Sequence, residues 1–178
     1  SNQTALARVG TIEPMVALLG RPEPMPLQSF GGTQIDFTEQ AAAAVLAAAS
    51  SSVPAGKKAL GSLHAEVARA MWSMAEKNQD NQLAIADAGA VPLLIKLLSA
   101  SAAKAQANRD ILLCDVAGAL WSLGASESNQ TLIADEGGIK PLIALLDGRQ
   151  SKGAQETAAG ALQRLATQQT NRVPFADA

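Results

Sequence analysis

This chain has no tyrosine, one cysteine, one histidine and, at 3% aromatic residues, very few large flat side chains. A single cysteine, Cys114, excludes an intramolecular disulfide framework and a Cys-rich zinc site, and it favours a reducing compartment. A single histidine, His64, removes most His-based catalytic and metal constellations. Net charge is scarce too. Fourteen Lys+Arg against 16 Asp+Glu leave −2, too balanced for a nucleic-acid binder recognised by charge. Residues 1–20 lack a basic stretch followed by an apolar one, so no secretory leader is expected. The longest uncharged run, Gln40 to Gly56, is mostly alanine and contains Ser50, Ser51, Ser52 and Pro54. It is too short and too weakly apolar to span a bilayer. The expectation is an intracellular protein, cytoplasmic or nuclear, with no membrane span.

What the chain does contain is apolar and repetitive. Of 178 residues, 48% are hydrophobic, enough to bury a core and too many for a disordered segment. Roughly a fifth are alanine, which points to closely packed helices rather than strands. Four stretches answer one another, beginning at Asn2, Asn81, Asn129 and Asn171. The Asn81 copy reads Asn-Gln-Leu-Ala-Ile-Ala-Asp-Ala-Gly and the Asn129 copy Asn-Gln-Thr-Leu-Ile-Ala-Asp-Glu-Gly. A second unit follows at Glu66–Met74, Asp115–Leu123 and Thr157–Leu165. The step from Asn81 to Asn129 is 48 residues and from Asn129 to Asn171 it is 42, close to the period of a helical solenoid.

Each unit reads as three helices. The first is short, with Asn81, Asn129 or Asn171 as its expected N-cap, and it stops at Gly89 or Gly137. The second, Val91–Leu98 or Ile139–Leu146, has Pro92 or Pro141 near its start, where a missing N–H costs little. Its apolar face is expected at Leu94, Ile95, Leu97 and Leu98, matched by Leu142, Ile143, Leu145 and Leu146. The third is longer, near Glu66–Lys77, Asp115–Gly124 and Gln155–Thr167.

The resulting organisation is one array over 1–178. Repeat 1 runs over about 2–78 with an insertion at about 20–60, repeat 2 over about 79–126, and repeat 3 over about 127–168. Residues 169–178 start a repeat that breaks off, so apolar side chains such as Leu162 and Phe175 are expected to be exposed and to favour self-association. Within the insertion, Arg21–Gly32, which opens with prolines at every second place, reads as an exposed extended loop and Thr38–Ala49 as a helix. A degenerate repeat is the competing reading. The insertion is favoured because Glu66–Met74 aligns better with the later third helices.

Candidate chemistry is sparse. His64 has no second histidine to work with, and Cys114 precedes Asp115, whose charge opposes a lowered thiol pKa. The pairs Gly31-Gly32 and Gly137-Gly138 lack the strand before and the Lys-Ser/Thr after that a phosphate loop needs. Asp36, Glu39, Asp87, Asp135 and Glu136 are scattered or near helix ends, where turn and capping roles account for them. No enzyme signature, cofactor site or metal site is expected.

The repeated sequences Ala-Asp-Ala-Gly-Ala-Val-Pro-Leu-Leu-Ile-Lys-Leu-Leu (86–98), Ala-Asp-Glu-Gly-Gly-Ile-Lys-Pro-Leu-Ile-Ala-Leu-Leu (134–146) and Gly-Ala-Leu-Trp-Ser-Leu (118–123) resemble the armadillo-repeat family. The resemblance implies an all-α solenoid, a right-handed superhelix of three-helix repeats. Its third helices line a concave groove that takes a partner protein or an extended peptide. Carried onto this sequence, the groove positions are Glu66, Arg69 and Ser73, then Asp115, Gly118 and Ser122, then Thr157, Gly160 and Arg164. Each triplet shares one helix face by its spacing. Importin-α-like members carry a ladder of Trp and Asn here. The Trp rungs fall on Arg69, Gly118 and Gly160 and the Asn rungs on Ser73, Ser122 and Arg164, so none is kept. The charges are mixed, Arg69 and Arg164 against Glu66 and Asp115, and predict neither a strongly basic nor a strongly acidic ligand. Trp72 and Trp121 share one repeat position, replaced by Gln163 in the third copy, and are placed at the groove edge. The competing reading is a structural rod or self-associating scaffold segment whose groove is unused.

Overall fold

The computed structural model describes residues 12–20, 63–102 and 109–176. The Asn2 copy and most of the insertion, with its expected loop and helix, lie outside the described residues. Among the described residues the chain is helical throughout, with no strand. In order it forms α1 (Ile12–Leu19), α2 (Leu63–Ala75), α3 (Gln79–Asp87), α4 (Ala90–Ala102) and α5 (Arg109–Leu123). Then come α6 (Glu127–Asp135), α7 (Ile139–Ala144), α8 (Lys152–Thr167), a 3-10 turn (Gln169–Asn171) and α9 (Arg172–Ala176).

The third helices α2, α5 and α8 lie side by side, with α5 in the middle making the most extensive contacts. The second helices α1, α4 and α7 form another row packed against them, and the short α3 and α6 bridge the two rows. Alanine makes the close approach feasible: Ala65, Ala68, Ala117, Ala119, Ala154 and Ala158 are all fully buried. Between the rows sit Leu94 and Leu98 of α4, Leu113, Leu120 and Leu123 of α5, and Leu142 and Leu145 of repeat 3. A core this close-packed tolerates little change in side-chain volume.

The break between first and second helices is a glycine turn. Gly89 has φ +83° and Gly137 φ +77°, a region that only glycine enters without strain. At the first break the chain turns through 76° between α3 and α4. Among the described residues no single helix is long and apolar enough to cross a membrane.

The recurrent Asn-Gln pair does not cap its own helix. The N-cap of α3 is Asn78, whose side chain accepts the Asn81 N–H at 3.1 Å, and the N-cap of α6 is Ser126. Asn81 and Asn129 are instead buried at the third position of their helices, and Asn171 at the end of the 3-10 turn before α9, where their amides serve the preceding third helix. Asn81 Nδ2 donates to the Met74 carbonyl at 2.8 Å and Gln82 Nε2 to the Ala75 carbonyl at 2.8 Å. Asn129 Nδ2 donates to the Leu123 carbonyl at 3.1 Å, and Gln130 Nε2 to the Gly124 carbonyl at 2.9 Å. Asn171 Nδ2 donates to the Leu165 carbonyl at 2.9 Å. The carbonyls that a helix leaves orphaned at its C-terminus are thus satisfied by the next repeat. The same amides also bind repeat to repeat, from Asn129 to the Gln82 carbonyl at 3.0 Å and from Asn171 to the Gln130 carbonyl at 3.2 Å.

Two expectations about exposure need correction. Leu162 is buried and Phe175 half-buried, both packed into the core. Among the described residues, the exposed large apolar ones are Ile143, Leu146 and Val173. Ile143 and Leu146 occupy the repeat positions of Ile95 and Leu98, which are buried. A Cβ on Gly138 of repeat 3 would lie 3.1 Å from Ile95 Cδ1, so the following repeat is what covers that face. No described residue does the same for Ile143. The helix α7 is also shorter than expected and ends at Ala144, with Leu145 as its C-cap.

Candidate binding face on the third helices

The nine predicted groove residues divide into two clusters and two residues outside both. The first cluster is ionic. Arg69 on α2 reaches across to Asp115 on α5, with Nη2 to Oδ2 at 2.8 Å and Nε to Oδ1 at 3.3 Å. Glu66, one turn earlier on α2, stands 3.8 Å from the same guanidinium. Asp115 is nearly buried, with 7% of its side chain exposed, while Arg69 keeps 31%. Burial pushes the Asp115 carboxyl above its ordinary value, and the Arg69 hydrogen bond pulls against that rise. This pair locks α2 to α5 in register.

The second cluster is aromatic. A Cβ on Gly118 would collide with the Trp72 ring, and a Cβ on Gly160 would lie 2.7 Å from the Trp121 ring. Each tryptophan therefore lies on the glycine of the next third helix, which explains why glycine sits inside two helices where it costs about 1 kcal/mol relative to alanine. The Trp121 ring also meets Arg164, which lies one turn along the same helix as Gly160 and places its guanidinium carbon 5.9 Å from the ring centroid. Both tryptophans stay half-buried.

Between them opens a pocket of about 360 Å³. Trp72, Trp121, Ser122 and Arg164 line it, and all four were singled out by sequence. Glu76, Lys77, Gln82 and Ala125 complete the lining and were missed. They lie at or just beyond the ends of α2 and α5 or in the next first helix, past the stretch where helical spacing picks out a face. Gln82 carried a signal in the repeated Asn-Gln pair. Ser73 is exposed on α2 but outside the pocket, and Ser122 is nearly buried. Thr157 is buried, its hydroxyl donating to the Gly153 carbonyl of its own helix at 3.0 Å.

The singled-out reactive residues have local roles. His64 is buried at the head of α2. Burial pushes the Cys114 thiol up, and the Asp115 charge adds to the rise, so the reactive thiolate is disfavoured. Among the described residues no three His, Cys, Asp or Glu side chains cluster as metal ligands would.

Residues 126–167 match the Armadillo/beta-catenin-like repeat family. No curated protein matches the chain in sequence. Among solved structures it is similar to an engineered protein at 24% identity and TM-score 0.56, over 93% of this chain and 66% of that one. A second engineered protein matches at 22% identity and TM-score 0.58, over 98% of this chain but 42% of the other. A designed armadillo repeat protein in complex with the peptide (KR)4 matches at 20% identity and TM-score 0.57, over 93% and 69%. The chain thus spans two thirds or less of the two engineered proteins. An armadillo repeat at 126–167, set in an all-α fold shared with designed armadillo repeat proteins, makes this chain an armadillo-type α-solenoid.

Proposed function

We propose that this chain is a protein–protein interaction module that holds a partner protein or an extended peptide along the face formed by α2, α5 and α8. The observation that carries the reading is the pocket between Trp72 and Trp121, an aromatic recess with a guanidinium and polar groups at its rim. Half-buried tryptophan and arginine are the side chains that dominate binding energy at protein interfaces. The designed armadillo protein solved with (KR)4 has the same fold and supports peptide binding as the mode. Photo-crosslinking tests the reading with a peptide selected against this chain. A crosslinker at Ser73, exposed on α2, should capture it, and one at Ala144, exposed on the second-helix row, should not. Capture from Ala144 alone would overturn the assignment. The double change Ser73→Glu and Arg164→Glu should weaken binding and leave helicity intact.

A second reading, self-association, is favoured by exposed Ile143, Leu146 and Val173. Sedimentation decides it. Association that disappears with Leu146→Glu and Val173→Glu supports the reading, and a monomer at high concentration rejects it.

A further inference from the structure

The pocket exists because position 122 is small. Ser122 on α5 and Arg164 on α8 occupy the same place in their repeats, as do the glycines beneath the two tryptophans. Arg164 covers Trp121, whereas Ser122 is too short to cover Trp72, and the recess opens beside both rings.

Charge then selects the occupant. The lining carries two cations, Lys77 and Arg164, and one anion, Glu76. Lys77 and Glu76 stand 4.0 Å apart and offset each other. Arg164 stacks on Trp121 but has no carboxylate within ion-pair distance among the described residues. The ends of α2 and α5 face this side, and helix C-termini ordinarily repel anions. Here their last carbonyls are already occupied by amide donors, Met74 and Ala75 by Asn81 and Gln82, and Leu123 and Gly124 by Asn129 and Gln130. Those donors offset part of the negative end of each helix. A guanidinium binds carboxylate in a forked, charge-assisted geometry that a recess with aromatic walls strengthens.

The geometry points to a subsite for one acidic side chain of an extended peptide, held on Arg164, with the apolar side chain two residues along, on the same face of the peptide, lying against Trp72. The inference rests on the reading that the third-helix face binds peptide, and it names the chemistry of that peptide. A polyacidic ligand is disfavoured by Glu76, and a basic one by Arg164 and Lys77. The volume accommodates two side chains rather than a whole folded segment.

Trp72 and Trp121 are the chain's two tryptophans and both line the pocket, so intrinsic fluorescence reports on it directly. Three eight-residue peptides are titrated at equal ionic strength: a serine peptide carrying one Glu and, two residues on, one Leu (Glu–Leu), the same peptide with Ser in place of that Glu (Ser–Leu), and alternating Lys and Arg (Lys–Arg). The Glu–Leu peptide should change the fluorescence saturably and bind about tenfold more tightly than either of the others. Arg164→Gln should reduce its affinity to that of the Ser–Leu peptide, with the circular dichroism spectrum unchanged. Ser122→Arg should cover Trp72 and abolish binding. Arg149→Gln, removing an exposed partner of Asp147 outside the pocket, should change nothing. Tighter binding of the Lys–Arg peptide, or full Glu–Leu affinity in Arg164→Gln, would overturn the subsite and leave peptide binding on this face standing. Silence from all three peptides would overturn both.

Discussion

Asn129 offers the sharpest test of the repeat's internal logic. Asparagine and aspartate are equally good N-caps, because each accepts a backbone N–H through a side-chain oxygen. Asn129 does the opposite. It is 2% exposed and donates, through Nδ2, to the Leu123 carbonyl at 3.1 Å and the Gln82 carbonyl at 3.0 Å. Asn129→Ala removes both bonds and leaves two buried carbonyls without their donor. Two neutral hydrogen bonds at about 1 kcal/mol each, plus partial stranding of the acceptors, give a loss of roughly 2–4 kcal/mol. Asn129→Asp is nearly isosteric but replaces the donor with a carboxylate facing two carbonyl oxygens. It should cost at least as much as alanine near neutral pH and recover part of the loss when acid protonates the carboxyl. Urea unfolding followed by circular dichroism at pH 7 and pH 4 measures both. The result that refutes this reasoning is an aspartate variant as stable as the parent at pH 7, which is what an N-cap would give.

Four further outcomes follow from the geometry. Leu145 is fully buried, so Leu145→Ala should lower stability by about 2–5 kcal/mol, read as a shift of the urea midpoint. Gly160→Ala places a methyl against the Trp121 ring and should cost about 1–3 kcal/mol, accompanied by a red-shifted emission as the ring lifts into solvent. Lys77, at φ 54°, holds a left-handed conformation that penalises a side chain, and Lys77→Gly should raise stability by roughly 0.5–1 kcal/mol in the same titration. For Asp115, the folded carboxyl binds its proton more tightly than the unfolded one, because burial outweighs the pull of Arg69. Its contribution therefore falls as pH rises from about 4 through the folded pKa. Arg69→Ala removes the opposing pull, so the variant should lose stability relative to the parent between pH 4 and pH 7, by about 1–3 kcal/mol at pH 7. A pH-independent gap would rule this out.

The helical architecture was legible because its signals are local and repeated. Gly89 and Gly137 mark a backbone turn that no other residue makes cheaply, and both fall where the repeat places the break. The alternation of large leucines on α4 with alanines on α2, α5 and α8 states which surfaces approach closely, and the burial of Ala65, Ala117 and Ala154 follows from it. Exposure in the last repeat was harder to read. Ile143 and Leu146 carry the same pattern as buried Ile95 and Leu98, and periodicity cannot say whether a neighbour covers them. Leu162 illustrates the converse: it sits in the last third helix, yet it is buried in the common core. The Asn-Gln pair was legible as a signal and misread as a role. A polar residue near a helix start reads as a cap of that helix, whereas its acceptors lie six or seven residues upstream.

The same distinction between position and reach governs the candidate site. Aligned with the family's ladder, Gly118 and Gly160 are empty rungs, since a repeat alignment compares each residue only with its own counterparts. In space, Trp72 lies on Gly118 and Trp121 on Gly160, so each aromatic surface is supplied by the preceding repeat. The glycines are the condition for that: any Cβ there would push the ring away. Small residues on one helix and large ones on the next form a single feature, and its two halves are 46 and 39 residues apart in sequence. Trp72 must therefore vary together with residue 118, and Trp121 together with residue 160. Replacing Trp121 with leucine should make Gly160→Ala nearly free, whereas the same alanine beside the native tryptophan carries its full cost. A double-mutant cycle over those two positions should give a coupling of about 1 kcal/mol or more, and additive effects would mean that the ring does not rest on the glycine.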